Sequence, residues 1–204
     1  MAFPTTNAAE ELPAVNQILA SVGQAPVTTL DQTNPDVAIA YDTLLQVSRE
    51  VQSEGWTFNI EYNYPFTPDT DKHIVIPSNI LRIDLSTEEN YNDLNVVRRS
   101  GKLYDRIDHT FDFEEEVKCD VVWFFDWVDL PRAIQDYITS RASSFAASRI
   151  VGDNSLYQMC LQKEAYCRAM ALEYECNQGE YTFFGHPKGG NYYTSYKPYH
   201  ALRR

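Results

Sequence analysis

Apolar positions recur at helical spacing in four stretches of this chain. They alternate at strand spacing in the long interval between the second stretch and the third. The first helix is expected from about Pro13 to Val22, where Val15, Ile18, Leu19 and Val22 form a stripe, Pro13 suits the first helical position and Gly23 suits the residue past the end. In the second, Asn34 is a natural cap with Pro35 and Asp36 behind it. Val37, Ala40, Tyr41, Leu44, Val47, Ser48 and Val51 then mark one face, and Gly55 ends it. The third opens at Asp129 or Leu130 with Pro131 as first residue and carries Ile134, Tyr137, Ile138, Arg141, Ala142 and Phe145 as far as Gly152. The fourth starts at Asp153 or Asn154 and repeats Leu156, Met159, Cys160, Cys167, Met170, Ala171 and Tyr174 up to Gly179. So short a link makes the last two an antiparallel hairpin.

In the interval, Trp56, Phe58, Ile60, Tyr62 and Tyr64 alternate with polar residues, as do Val117, Cys119, Val121, Trp123 and Phe125. Residues 95–99 and 102–106 flank Ser100-Gly101, a hairpin turn, and 73–76 and 80–83 supply two further short strands. The fold class is therefore α+β. About four helices form an antiparallel bundle, discontinuous over residues 1–54 and 131–179, with a small antiparallel β insertion, 55–130, between helices two and three. An irregular C-terminal arm, 180–204, follows. There the helical period lapses among Gly185, Pro187, Gly189, Gly190 and Pro198, interleaved with Tyr181, Phe183, Phe184, Tyr192, Tyr193, Tyr196 and Tyr199. Rings without a period build no core of their own. Two readings stand: an arm that docks on a partner or a neighbouring copy, with Lys188, Lys197, Arg203 and Arg204 contributing, or an arm folded back along its own bundle.

Composition narrows the function. The 204 residues carry a formal net charge of -12, which argues against adhesion to DNA, RNA or anionic lipid, because such binding needs Lys and Arg to displace counterions. The charge is uneven: net -6 over 1–54, -9 over 55–130, -1 over 131–180 and +4 over 181–204. No basic and apolar leader opens the chain and no long apolar run interrupts it, so a soluble protein without a membrane span is expected. A chain of this size builds a core without metals or disulfides. Cys119, Cys160, Cys167 and Cys176 have no zinc or redox spacing and are expected as free thiols.

The catalytic signals are weak, and no cofactor or metal is expected. No nucleophile elbow, Walker A loop, zinc-protease motif or dinucleotide fingerprint occurs. The acidic run Asp105, Asp108, Asp112, Glu114, Glu115, Glu116 offers carboxylates for glycoside hydrolysis or cation binding, but such runs are more often solvated loops. His73, His109, His186 and His200 form no ligand pair. The cluster Trp123-Phe124-Phe125-Asp126-Trp127 is either a junction core between bundle and insertion or an exposed aromatic ledge; Trp56, Phe58, Trp123 and Phe145 are expected in the core and at the junction.

Several strings resemble a known family. They include Ala14-Val15-Asn16 with Ile18-Leu19-Ala20-Ser21, Pro26 to Leu30, and above all Val51-Gln52-Ser53-Glu54-Gly55-Trp56-Thr57-Phe58-Asn59. Later come Leu130-Pro131, Tyr137-Ile138, Arg141-Ala142-Ser143, Leu161-Gln162 and Leu172-Glu173-Tyr174-Glu175. Over about residues 8 to 180 the chain resembles tail tubular protein A, the head-to-tail adaptor family of short-tailed bacteriophages. The resemblance implies a structural virion protein and not an enzyme: a twelve-subunit ring between the capsid portal protein and the nozzle protein of the tail, in some relatives seating fibres, with genome DNA passing through the lumen. On that footing Tyr181, Phe183, Phe184, Tyr192, Tyr193, Tyr196, Tyr199, Arg203 and Arg204 are the candidates for docking to portal or neighbour. Asp105, Asp108, Phe111 and Phe113 are the candidates for nozzle or fibre contact. The arm departs from the family pattern. A tail-associated polysaccharide hydrolase using carboxylates of the insertion is the alternative.

Overall fold

The computed structural model describes residues 8–31, 33–86, 91 and 93–179. Helix α1 spans Ala8–Ser21 and α2 Pro35–Ser53. Strands β1 (Ile60–Phe66), β2 (Ile80–Leu85), β3 (Val96–Arg99), β4 (Lys102–Asp105) and β5 (Val117–Trp123) follow, and then helices α3 (Arg132–Ala146) and α4 (Asn154–Gly179). This is the expected α+β arrangement, with the β part inserted between the second and third helices.

The helix ends follow their chemistry. At the end of α1 the Gly23 and Gln24 N–H groups bond to the Ala20 and Leu19 carbonyls, with Gly23 at φ 79°. Asn34 caps α2 by accepting the Asp36 N–H. Asp153 caps α4 by accepting the Ser155 N–H. Two starts differ from expectation. Helix α1 begins five residues before Pro13, which lies within it on an exposed flank, because Glu10 and Glu11 suit the first turn of a helix. Pro131 is the residue before α3 and not its first, since a short 3-10 turn at Trp127–Asp129 delivers the chain there.

α3 is buried nearly all round and is the axis of the helical part. Ile134, Ile138 and Ala142 join Val15, Ile18, Leu19, Tyr41, Leu44, Val47 and Val51 in one apolar core. Its remaining flanks carry Thr139, Ser140, Ser143 and Ser144, tolerable in a buried helix because each hydroxyl donates to a carbonyl three or four residues back. Thr139 and Ser143 face α1; Tyr137 and Ser144 face α4 on the opposite flank. α3 passes through a π-helical turn, Ala147–Val151, and Gly152 in the left-handed region reverses the chain into α4. The two last helices thus pair as expected, but α4 packs mainly on α3 and gives the core only Ala171 and part of Cys167.

The insertion has its own core of Phe66, Ile74, Ile76, Ile80, Val96, Leu103, Phe113, Val117, Cys119 and Val121. A three-stranded antiparallel sheet ordered β1-β5-β2 faces the β3-β4 hairpin. The hairpin turns through Ser100 and Gly101 at φ 52° and 75°, as the sequence requires. Two expected strands differ: the one expected from Trp56 begins only at Ile60, and the one expected over 73–76 is not formed. Trp56 to Asn59 is a tight turn, because Asn59 draws the Trp56 N–H onto its own Oδ1. The stretch 73–76 makes only isolated bridges, at His73 and Val75, though Ile74 and Ile76 are buried.

Candidate assembly surfaces

The junction between the two cores is built from the string Gln52 to Asn59. Gln52 is wholly buried and grips Phe125 twice, donating to its carbonyl at 3.1 Å and accepting its N–H at 2.8 Å. Asn59 accepts from Trp56 N–H at 2.8 Å and donates to the Gln52 and Trp123 carbonyls, each at 2.9 Å. The Trp56 indole N–H donates to the Val51 carbonyl at 2.7 Å. Thr57 N–H and hydroxyl both donate to the Glu175 carboxylate near the end of α4. One turn therefore fixes α2, α4 and β5 relative to each other. These amide roles escape pattern reading, since Gln52 and Asn59 look like ordinary surface residues in sequence.

Charged residues hold α4 down from the side. Arg168 donates to the Tyr137 hydroxyl at 2.8 Å and lies 3.4 Å from Glu54, while Arg141 reaches the same hydroxyl at 3.0 Å and Glu50 at 3.4 Å. With so little apolar burial, this network and the Glu175 contact anchor the helix. The face of α4 turned from α3 carries Met159, Tyr166 and Met170, exposed by 68%, 67% and 43%. Their spacing of seven and then four residues is that of a helix-packing seam. Met159 and Met170, which recur at helical spacing in the sequence, are thus not buried against α3. Covering such side chains is worth roughly 1.5–3 kcal/mol each. The signal was present in the breadth of the apolar pattern on α4, too wide for one neighbour.

Of the residues singled out for junction and core, Trp56 is buried in the helical core with Phe58 and Phe145 packed against it, and Trp123 packs on the insertion core. In the aromatic run, Trp127 is buried while Phe124 and Phe125 line a cavity of about 130 Å³ with Leu44, Leu45 and Arg49. In the insertion, Asp105 is buried and accepts the N–H groups of Asn95 and Ile107, and Phe113 is a core residue. Neither is presented to a partner, because each is consumed by its own loop. Asp108 is exposed, and Phe111 is half-buried with its ring edge-on to Tyr104 at 4.8 Å. Residues Tyr181, Phe183, Phe184, Tyr192, Tyr193, Tyr196, Tyr199, Arg203 and Arg204 lie outside the described residues.

The acidic run is dispersed into solvent. Glu114 pairs with Lys72 at 2.9 Å, and Asp112 lies 3.6 Å from His73. Asp69, Asp71 and His73 approach one another closely enough to share an ion, but His73 also faces the Lys102 ammonium at 2.9 Å, a poor neighbour for a cation. All four cysteines are free. Burial, with Asp120 and Asp84 nearby, pushes the Cys119 thiol up to about 12, so it packs and does not react. Among the described residues no helix is long and apolar enough to cross a membrane.

A mixed fold whose helical part and insertion have separate cores, and whose longest helix leaves an apolar seam uncovered, defines a component of an assembly. The comparison with known sequences specifies which kind. A profile of the tail tubular protein family matches residues 12–181, and the chain belongs to that family. It is 27% identical to tail tubular protein A of Klebsiella phage KP34 over 163 residues, 79% of this chain and 84% of that protein. The chain is a structural protein of the phage virion tail.

Proposed function

We propose that this tail protein is the adaptor ring between the capsid portal and the tail nozzle, twelve copies enclosing a lumen through which genome DNA passes. Two separately cored parts, joined rigidly at Gln52 to Asn59, carry this reading. Such a subunit offers different surfaces to different partners at its two ends while holding those ends in a fixed relation. The helical part forms the ring and meets the portal, and the insertion, through Asp108 and the exposed edge of Phe111, faces the nozzle or a fibre. The arm 181–204, the positive segment of an acidic chain, docks on the portal or on a neighbouring subunit. The acidic balance of the rest suits a conduit, since like charge keeps phosphates from adhering.

Reconstitution tests this directly. Portal and nozzle proteins of the same phage, mixed with this chain, should cosediment as a three-component complex and should not associate when it is omitted. Association of the two without it, or failure of this chain to bind either, contradicts the adaptor role.

A further inference from the structure

We infer that the segment before α1 is a strap across the junction, with the Phe3 ring seated in the cavity between α2 and the aromatic run 124–127. The cavity has a floor, walls and a mouth of different chemistry. Leu44, Ser48, Trp127 and Glu11 are buried and form the floor, Leu45, Phe124 and Phe125 are half-buried walls, and Arg49 and Asp126 are exposed at the mouth. The polar groups of the floor are engaged within the fold: Glu11 accepts the Tyr41 hydroxyl at 2.6 Å, and Ser48 accepts from the Gln52 amide at 3.0 Å. What remains for an occupant is mainly apolar. The volume, about 130 Å³, is close to the roughly 150 Å³ that holds one benzene in an apolar protein cavity, so a single phenyl ring fits. Until a side chain fills such a hollow, the groups lining it forgo contact energy.

Attachment and charge select Phe3 as the ring. Residues 1–7 lie outside the described residues, and α1 begins at Ala8. Glu11, about 4.5 Å further along that helix, already lines the cavity, so the preceding segment is tethered beside it. Phe3 stands five residues before Ala8, a reach of up to about 17 Å. Pro4 behind it favours the extended form that spans this distance. Phe3 is also the sole aromatic residue before Tyr41. Residues 1–9 carry no charged side chain, which suits a mouth where Arg49 and Asp126 offset one another. The arm 181–204 brings rings too, but with a charge of +4. A cation reaching Glu11 would shed its water among aromatic walls, a cost that a phenyl ring does not meet. Seated there, the strap ties α1 to α2 and to the run 124–127. It would do so on the flank of α2 turned away from Glu50 and Glu54, which face Arg141 and Arg168. The junction is then held from two sides, by Thr57 with Glu175 on one and by Phe3 on the other.

Crosslinking tests the seat and a cavity-emptying variant tests its energetics. A photo-crosslinking residue in place of Phe3, in the full chain, should join peptides from residues 44–49 or 124–127. In a mixture of isotopically light and heavy chains, the joined peptides should be all light or all heavy, because the strap closes on its own molecule. Phe3→Ala should keep the wild-type circular dichroism and lower the melting temperature by roughly 5–10 °C. Added benzene should recover part of that loss by entering the emptied hollow, and should leave the wild-type melting temperature unmoved. The same photo-crosslinker at Tyr193 reports on the arm and should not reach the cavity. Crosslinks from position 3 to other surfaces or between light and heavy chains, a Phe3→Ala protein that melts with the wild type, or benzene acting equally on both proteins would overturn the strap. Capture of residues 44–49 or 124–127 from position 193 would assign the cavity to the arm and overturn it as well.

Discussion

Asn59 makes three hydrogen bonds in a place closed to water, to Trp56, Gln52 and Trp123. Asn59→Ala leaves a backbone N–H and two carbonyls to find other partners, and each buried group so stranded costs about 1–3 kcal/mol. The expected loss is about 3 kcal/mol, read in a denaturant titration, with a melting temperature lower by roughly 6–12 °C. Asn59→Asp keeps the acceptor but sets a carboxylate oxygen against the Gln52 and Trp123 carbonyls in a buried place, and should cost at least as much. A second residue-scale outcome concerns Cys119. Burial raises its thiol to about 12, so at pH 8 a thiol reagent should modify exposed Cys176 in the native protein and reach Cys119 only on unfolding. The sign for stability follows. Because the folded thiol holds its proton more tightly than the unfolded one, the contribution is complete below the ordinary value of 9.0 and is lost as pH rises from there toward 12.

The helices and the 100–101 hairpin were legible in sequence because local chemistry decides them: caps, a left-handed glycine, a period. Gly55 shows how firmly such a position is held. It sits at φ 83°, and an added Cβ would lie 3.2 Å from both Ile60 and Arg82 side chains. Gly55→Ala should cost on the order of 1–2 kcal/mol, whereas Gly23→Asn, in open space at φ 79°, should be nearly neutral by thermal melting. Where distant residues decide, the sequence misled. Trp56 to Asn59 alternates like a strand, yet the Asn59 side chain curls it, accepting the Trp56 N–H while it donates to the Gln52 and Trp123 carbonyls. Met159 and Met170 share a helix with Ala171 and read as one face, but α3 covers only part of so broad a pattern. The anchoring of α4 is likewise non-local. Glu175→Ala removes the acceptor of Thr57 and should speed amide exchange across residues 170–179 by tenfold or more, while α3 keeps its protection.

At the scale of the whole molecule, the acidic total conceals a division. The chain to residue 130 is strongly negative, α3 and α4 are near neutral and the arm is positive. Neutral helices suit contact between identical subunits, acidic surfaces suit a passage for DNA, and a cationic aromatic arm suits an acidic protein partner. Removing 181–204 should abolish portal capture in a pull-down; a truncated chain that binds with full affinity removes the arm from this scheme. The family resemblance was legible in the Gln52 to Asn59 string, and that same string forms the junction. The outward seam was legible only as breadth, an apolar pattern on α4 wider than one neighbour covers; which of its residues stay exposed is decided by the folded pair. The most direct measurement of the account is the native mass of the wild-type protein, alone and bound to portal rings, with negative-stain images of the same samples. A closed ring of twelve copies of the 23.5 kDa chain is the expected result. A species that remains monomeric or stops at a two-fold dimer, with portal present as well as absent, would contradict it.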